Sequence, residues 1–367
     1  MWAGFLAYLA ALAFAPRLGR RTIWGAIVAL VIVFACLPPL LSHDVYSYVD
    51  YARLGVLHGL DPYVHSPAAR PGDAAFAHVS WTETTSAYGP LFTLATYPLA
   101  WLPVGVAVYV LKAISAVAVL GIAALVARLA PARGIEPLRA AAFVALNPLV
   151  LVHVVGGPHN DALAVLLLML GVAGVLTARE TAAGASIVAA LAVKASAAAA
   201  APFALLATVQ LPTGLKRDSE SRFRPVGRLL VGVGVALVVV GGGAYVGFGW
   251  DWLGAFGLAG ENQGRTSYLS VPITTARLAG LDPTAVRAAA LTLYAAFVAY
   301  LLAWTFRGGD WLRAAAWATA GLLLASAWLL PWYLLWPLPL AALSRDRLLK
   351  LMVLALTAYQ LGARIPL

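Results

Sequence analysis

The chain has 367 residues, of which 62% are hydrophobic and only 11% charged, and a formal net charge of +10. Soluble domains carry about 25% charged residues, so a water-facing globule of this length would leave runs such as 27–41, 140–155 and 162–176 uncovered, which excludes a soluble fold. The positive charge lies in short clusters between apolar runs, without the aromatic–basic interleave of a single-strand binder, so no nucleic-acid partner is expected.

In lipid each backbone amide must be satisfied within its own segment or in a closed barrel. Barrel strands alternate apolar and polar residues, whereas these runs are continuous and rich in Ala and Leu. An all-α, polytopic helical membrane protein is therefore expected, with about 11–12 membrane segments. The apolar runs lie at 2–15, 22–41, 104–127, 140–155, 162–178, 183–211, 229–248, 284–305, 314–330, 332–343 and 348–363. Residues 1–21 read as an anchor-like span, because the basic cluster Arg17, Arg20, Arg21 follows the apolar run instead of preceding it. Cys36, the single cysteine, lies in an apolar run and excludes a disulfide within the chain. Pro103, Pro137, Pro225, Pro283 and Pro331 mark junctions, and Gly242 and Gly243 predict close helix packing.

Orientation follows from the basic loops. With Arg17/Arg20/Arg21, Arg128/Arg133/Arg139, Arg179, Lys216/Arg217/Arg222/Arg224/Arg228, Arg307/Arg313 and Arg345/Arg347/Lys350 in the cytoplasm, seventeen of the 25 basic residues are inside. The alternation closes only if 183–211 enters and leaves on the cytoplasmic side as a two-helix hairpin, with Lys194 near its tip. Three segments then face outward: 42–103, 156–161 and 249–283. The first holds five of the 15 acids and is too long for a plain connector. Its end, 89–102, is apolar and suits an interfacial helix. Everything after residue 22 reads as one helical assembly, so the chain is treated as a single domain, 1–367.

The residues that could carry chemistry fall mainly in these outward segments. A helix starting at Ser42 puts Asp44 on one face with Tyr48 and Tyr51, while Asp50 lies off it and pairs at i+3 with Arg53. As a first-turn acid, Asp44 is also favoured by the helix dipole alone. Beside a span end and among tyrosines, it reads as an acid bordering a cavity. Asp61, Tyr63 and Tyr88 stand in Gly/Pro turns that form regardless of function. In Gly156-Gly157-Pro158-His159-Asn160-Asp161, Asn160 or Asp161 can cap the next helix, which does not account for His159. No second compact ligand cluster is present, so no metal site and no cofactor are predicted. Lys194 is costly in a membrane, about 2.5–3.5 kcal/mol on insertion scales, and is a functional candidate for that reason. Lys112 is shallower and is expected to snorkel. Arg265, in Glu261-Asn262-Gln263-Gly264-Arg265, suits an anion if that segment folds over a cavity.

In order along the chain come His-Asp-Val-Tyr-Ser-Tyr at 43–48, Gly-Leu-Asp-Pro-Tyr at 59–63 and Tyr-Gly-Pro-Leu-Phe at 88–92. Leu-Asn-Pro-Leu-Val at 146–150, His-Asn-Asp at 159–161, Val-Lys-Ala at 193–195 and Pro-Trp-Tyr-Leu-Leu-Trp at 331–336 follow. This ordered set resembles the GT-C class of lipid-linked-sugar glycosyltransferases, and within it the polyprenol-phosphate-mannose-dependent α-1,6-mannosyltransferases of actinobacterial cell-envelope synthesis. The resemblance implies a polyprenyl-phosphate-linked sugar donor, with mannose as the hexose, a glycan or glycolipid acceptor, and chemistry at the outer face of the cell membrane. It maps the general base of an inverting transfer onto Asp44. His43, Tyr48, Asp61, Tyr63, Tyr88, His159, Asn160, Asp161, Lys194, Arg265, Trp332 and Tyr333 are then the candidate substrate-binding residues, Arg265 and Lys194 facing the leaving phosphate. A proton-coupled secondary transporter is the competing class, since Lys194 and the outward acids would suit one. No internal repeat of the kind many carriers show relates the two halves. A non-catalytic scaffold would leave the outward polar motifs without a role.

Overall fold

The computed structural model describes residues 2–210, 219–261 and 265–362. Lys216, Arg217, Asn262, Gln263 and Gly264 lie outside the described residues. The regular structure of the described residues is all helical, with no strand. Among the described residues, four helices are long and apolar enough to cross a membrane: Trp2–Cys36, Val104–Leu129, Arg224–Phe248 and Pro283–Phe306. Asp161–Leu176, Glu180–Val193 and Trp311–Ala325 are apolar but shorter. The chain is thus a helical membrane protein, although fewer segments reach spanning length than the apolar runs alone indicate. The difference lies in helix breaks that hydropathy cannot register.

The first two apolar runs form one element, α1 (Trp2–Cys36), broken at Gly19, whose φ of +77° is one that side-chain-bearing residues rarely adopt. The outward segment follows with α2 (Asp44–His58) and, after an irregular stretch, α3 (Pro90–Thr96), which a 3-10 turn extends through Trp101. Asp73 organises this region, accepting from Arg53 Nε at 2.7 Å and the Ala75 N–H at 2.9 Å and lying 2.8 Å from His58 Nε2. The expected Asp50–Arg53 pair does not form. Arg53 turns to Asp73, which also receives the other two groups, and Asp50 is buried with no hydrogen bond to either oxygen among the described residues.

The core consists of one face of α1 with α4 (Val104–Leu129), α5 (Pro137–Ala145), α6 (Asp161–Leu176), α7 (Glu180–Val193), α8 (Ala201–Gln210) and later helices. Beyond α5, Asn147 and Pro148 interrupt the helix. Asn147 Oδ1 accepts from the Leu149 N–H at 3.0 Å, and its Nδ2 donates to Thr357 Oγ1 at 3.1 Å. The chain then forms a π-helical turn, Val150–Val155. Lys112 lies in α4 facing this turn. It is fully buried and donates to the Gly156 carbonyl at 2.6 Å, so it does not snorkel. Ser115 Oγ donates to the Val154 carbonyl at 2.7 Å. The Gly156 and Val154 carbonyls also accept from the Leu40 and His159 N–H groups, at 3.1 and 3.2 Å, so each side chain adds a second donor to its carbonyl.

Lys194 separates α7 from α8 in extended conformation (φ −156°, ψ 128°), and a 3-10 turn, Ala195–Ala199, follows it. α7 lies on α6 and on α9 (Ser219–Phe248), while α8 faces later helices. The close α7–α9 contact falls at Gly184 and Gly232, where a Cβ would meet backbone of the opposite helix. Gly242 and Gly243, expected at such a contact, have open space or a distant Leu94 methyl beside them. Pro225 lies inside α9, within its first two turns. The chain completes with α10 (Gly254–Glu261), α11 (Val271–Ala279), α12 (Pro283–Phe306), α13 (Trp311–Ala325), α14 (Leu338–Leu343) and α15 (Arg347–Gly362). A 3-10 turn at Pro331–Leu335 sits between α13 and α14 and brings aromatic side chains against the start of α6.

Candidate active site

The start of α2, the irregular stretch before α3, the α7–α8 break and the segment around α13–α14 surround a cavity of about 420 Å3. Its lining includes Asp44, Trp81, Tyr88, Lys194, Arg265 and the aromatic group Trp328, Trp332, Tyr333 and Trp336.

Asp44 is the first residue of α2, and its N–H donates to Ser42 Oγ at 3.2 Å. Trp81 Nε1 donates to Oδ1 at 3.2 Å, and Oδ2 lies 3.6 Å from His159 Nδ1. Burial pushes the Asp44 pKa above the ordinary carboxylate value, the Trp81 N–H and the charge of Lys194 oppose that shift, and Asp161 adds to it. A carboxylate raised in this way is a stronger proton acceptor than a solvated one, yet keeps a donor for its ionised form.

His159 is 1% exposed and stacked on Trp332, ring centroids 3.6 Å apart. Burial and then the positive Lys194 hold its pKa well below the usual imidazole value, so the ring is neutral. It stands behind the cavity wall beside the base. Asn160 and Asp161 are buried next to it. Asp161 Oδ2 accepts from Lys194 Nζ at 2.6 Å and Oδ1 from Trp336 Nε1 at 2.6 Å. Lys194 also faces the Tyr333 and Trp336 rings, at 5.3 and 5.8 Å. Its charge is therefore largely answered by Asp161 before any ligand arrives.

Arg265 stands over the Trp81 ring at 4.5 Å and the Trp328 ring at 5.4 Å, with no carboxylate within ion-pair distance among the described residues. Of the cations facing the cavity it is the one without a carboxylate partner there. A guanidinium resting on indoles, with its edge donors open, is suited to an oxyanion.

The structure brings Asp44, Tyr88, Lys194, Arg265, Trp332 and Tyr333 to the cavity lining. Tyr48, His159, Asn160 and Asp161 lie behind that wall. Tyr48 packs edge-on to Tyr88 at 4.7 Å, and the Asn160 N–H donates to its hydroxyl at 3.5 Å. His43, Asp61 and Tyr63 lie outside the lining. His43 Nδ1 meets Ser80 Oγ at 3.2 Å. Asp61 accepts from the Tyr63 N–H at 2.8 Å, the Tyr63 hydroxyl donates to the Tyr88 carbonyl at 2.8 Å, and the Pro62 carbonyl accepts from the Ser86 N–H at 2.8 Å, so this turn supports the 84–88 wall of the cavity from behind. Trp81, Trp328 and Trp336 were not among the expected site residues. Trp336 closes the 331–336 motif, whereas Trp81 stands 37 residues from Asp44 in a stretch with no motif. Among the described residues, no three His, Cys, Asp or Glu side chains are grouped as metal ligands would be.

A family model described as "Alpha-(1->6)-mannopyranosyltransferase, N-terminal domain" matches residues 1–210. Alpha-(1->6)-mannopyranosyltransferase A of Mycobacterium tuberculosis is 35% identical over 331 residues, covering 83% of this chain and 61% of the relative. The protein of the same name in Corynebacterium glutamicum is 32% identical over 251 residues, 64% of this chain and 50% of the relative. The chain thus spans less than two thirds of the length of each of these curated relatives. No solved structure matches it.

Proposed function

Because this chain belongs to the alpha-(1->6)-mannopyranosyltransferase family, we propose that it transfers a mannosyl residue from polyprenyl phosphate to a cell-envelope glycan or glycolipid. The reaction is placed at the outer face of a multi-pass membrane protein, where the distribution of basic loops puts residues 42–103. The acceptor hydroxyl oxygen attacks the anomeric carbon, the bond from that carbon to the phosphate oxygen breaks, and the configuration inverts. Asp44 takes the hydroxyl proton. The electron pair leaves with polyprenyl phosphate, which needs no proton from a general acid.

One observation carries this reading: a carboxylate, Asp44, and a guanidinium without a carboxylate partner, Arg265, line one cavity with aromatic walls. Charge developing on the leaving phosphate is stabilised by a cation already aimed at it, and Arg265 is the stronger candidate because Lys194 is held by Asp161. The tryptophan and tyrosine faces suit the apolar faces of a sugar ring. Tyr88 borders the same space and would help to orient the donor.

The test is transfer from synthetic polyprenyl-phosphate-mannose to a short α-mannoside by detergent-purified protein, with Asp44→Asn alongside. Loss of transfer in a variant that melts no lower than the wild type supports the assignment; transfer near the normal rate refutes Asp44 as base. The competing carrier reading draws on the Lys194–Asp161 pair as a protonatable element. Proton-driven uptake by proteoliposomes without sugar transfer would favour it.

A further inference from the structure

Resting on the reading of Asp44 as base and Arg265 as phosphate ligand, we infer that Trp81 is a positioning residue that sets both groups with one side chain. Its indole N–H ends on Asp44 Oδ1 at 3.2 Å, and its ring face carries the Arg265 guanidinium at 4.5 Å. Trp328 flanks the guanidinium at 5.4 Å and meets Trp81 edge-on, ring centroids 6.2 Å apart, so the two indoles form a corner against it. The irregular stretch between α2 and α3, the start of α2 and the segment holding Arg265 are therefore joined at one indole.

The two halves of Trp81 act differently. An indole nitrogen is a donor and never an acceptor, so its bond to Asp44 favours the ionised carboxylate that a base must be. The other groups facing Asp44 are Ser42 from the preceding turn, Tyr48 and Tyr51 of α2, Tyr88 before α3, His159 from the turn before α6, Asp161 at the start of α6, Lys194 at the α7–α8 break and Tyr333 from the turn before α14, the tyrosines uncharged. His159 is neutral, and Lys194 and Asp161 partly cancel as a pair. Besides neighbouring Ser42, which also favours the ionised form, the Trp81 N–H is the donor that a distant part of the chain brings to Asp44. The ring face acts on Arg265, restricting a flexible side chain at the wall of the cavity that Asp44 also lines. The spacing between base and cation is then a property of one rigid side chain, which the reaction needs because the acceptor oxygen and the leaving oxygen lie on opposite sides of the anomeric carbon.

Two substitutions separate these effects in the full-length protein. Trp81→Phe keeps a ring face under Arg265 and removes the N–H. It is expected to move the acidic limb of the kcat/KM–pH profile upward by about half a unit or more, with donor KM within about twofold of wild type. Trp81→Gln keeps an N–H donor and removes the ring. It is expected to raise donor KM about fivefold, the loss of one exposed cation–π contact, with the acidic limb little changed. A limb that stays in place in Trp81→Phe, or identical changes in both variants, overturns the inference and leaves Trp81 a packing residue. Asp44→Asn in the same assay separates the two levels. Retained transfer there refutes the assignment of the base, whereas abolished transfer with an unmoved Trp81→Phe limb refutes only the role of Trp81.

Discussion

Lys194 Nζ stands 2.6 Å from Oδ2 of Asp161, a carboxylate with no exposed surface whose other oxygen is held by Trp336 at 2.6 Å. The three residues come from the α7–α8 break, the start of α6 and the turn before α14, so one ion pair joins three parts of the bundle. Breaking a buried pair from one side leaves the partner charged and unanswered, at a cost of about 3–5 kcal/mol.

Lys194→Met and Asp161→Asn should each lower thermal stability in detergent by that order. The double variant Lys194→Met/Asp161→Leu should be more stable than Lys194→Met, because no charge is then left buried. Melting curves of the three proteins decide this. A Lys194→Met protein as stable as wild type would mean that Asp161 carries no charge in the folded state.

Asp44 should set the acidic limb of activity. Burial holds its pKa above the ordinary value of 3.8, and the base must be ionised, so kcat/KM should fall with decreasing pH at values above the usual carboxylate range. The same shift bears on stability. The folded chain holds this proton more tightly than the unfolded chain, so stability falls as pH rises from the ordinary value through the folded pKa. In Asp44→Asn transfer should drop about 10²–10⁴-fold and this contribution to the pH dependence of melting should vanish. A limb at or below the ordinary carboxylate value in the wild type would contradict the assignment.

Asp50 should respond to pH in the same sense, through stability alone. Burial and then neighbouring Asp73 push its pKa up to about 7, against Arg53 and His58. Its ionisation is therefore penalised in the folded state, and stability is lost as pH rises from about 4 to about 7. Asp50→Asn should melt higher than wild type at pH 8, by about 2–4 °C for each kcal/mol recovered, and the gain should shrink on acidification. An Asn variant that melts lower at pH 8 would mean that the carboxylate has a cation partner.

Gly89→Ala should disturb the packing of α3 on α7. The Gly89 N–H donates to the Val193 carbonyl at 3.1 Å, and an added Cβ would overlap the backbone of Ala192. Overpacking of this kind costs about 1–3 kcal/mol, and the shift would carry Tyr88 with it. Gly72→Ala, where a Cβ meets nothing within 4 Å, is the control. Equal melting temperatures for the two variants would refute the close approach.

Part of this organisation is readable along the chain. Continuous apolar runs mark the helices, and the ordered motifs at 43–48, 59–63, 88–92 and 159–161 mark the family. Side-chain pairing is much less legible. Spacing favoured Asp50 as the partner of Arg53, but Asp73 takes it by offering a site shared with His58 and a backbone N–H. Lys112 was expected to reach water from its place in an apolar run, whereas it ends on carbonyls of a π-helical turn more than 40 residues away. Spacing could show neither, because both depend on backbone groups that an irregular turn or loop presents from elsewhere in the chain.

Composition and run length alone determine that this chain is helical and lies in a membrane. Too few charged groups are available to solvate a surface, and in lipid a helix satisfies its own amides. The order of short motifs is likewise a property of the chain. Only the tertiary structure decides that Asp44 shares a cavity with Arg265, that Trp81 lies between them, and that Asp61 and Tyr63 stand aside. The reason is that these relations join residues between about 40 and 220 positions apart, brought together by packing of apolar faces that carries no trace in local spacing.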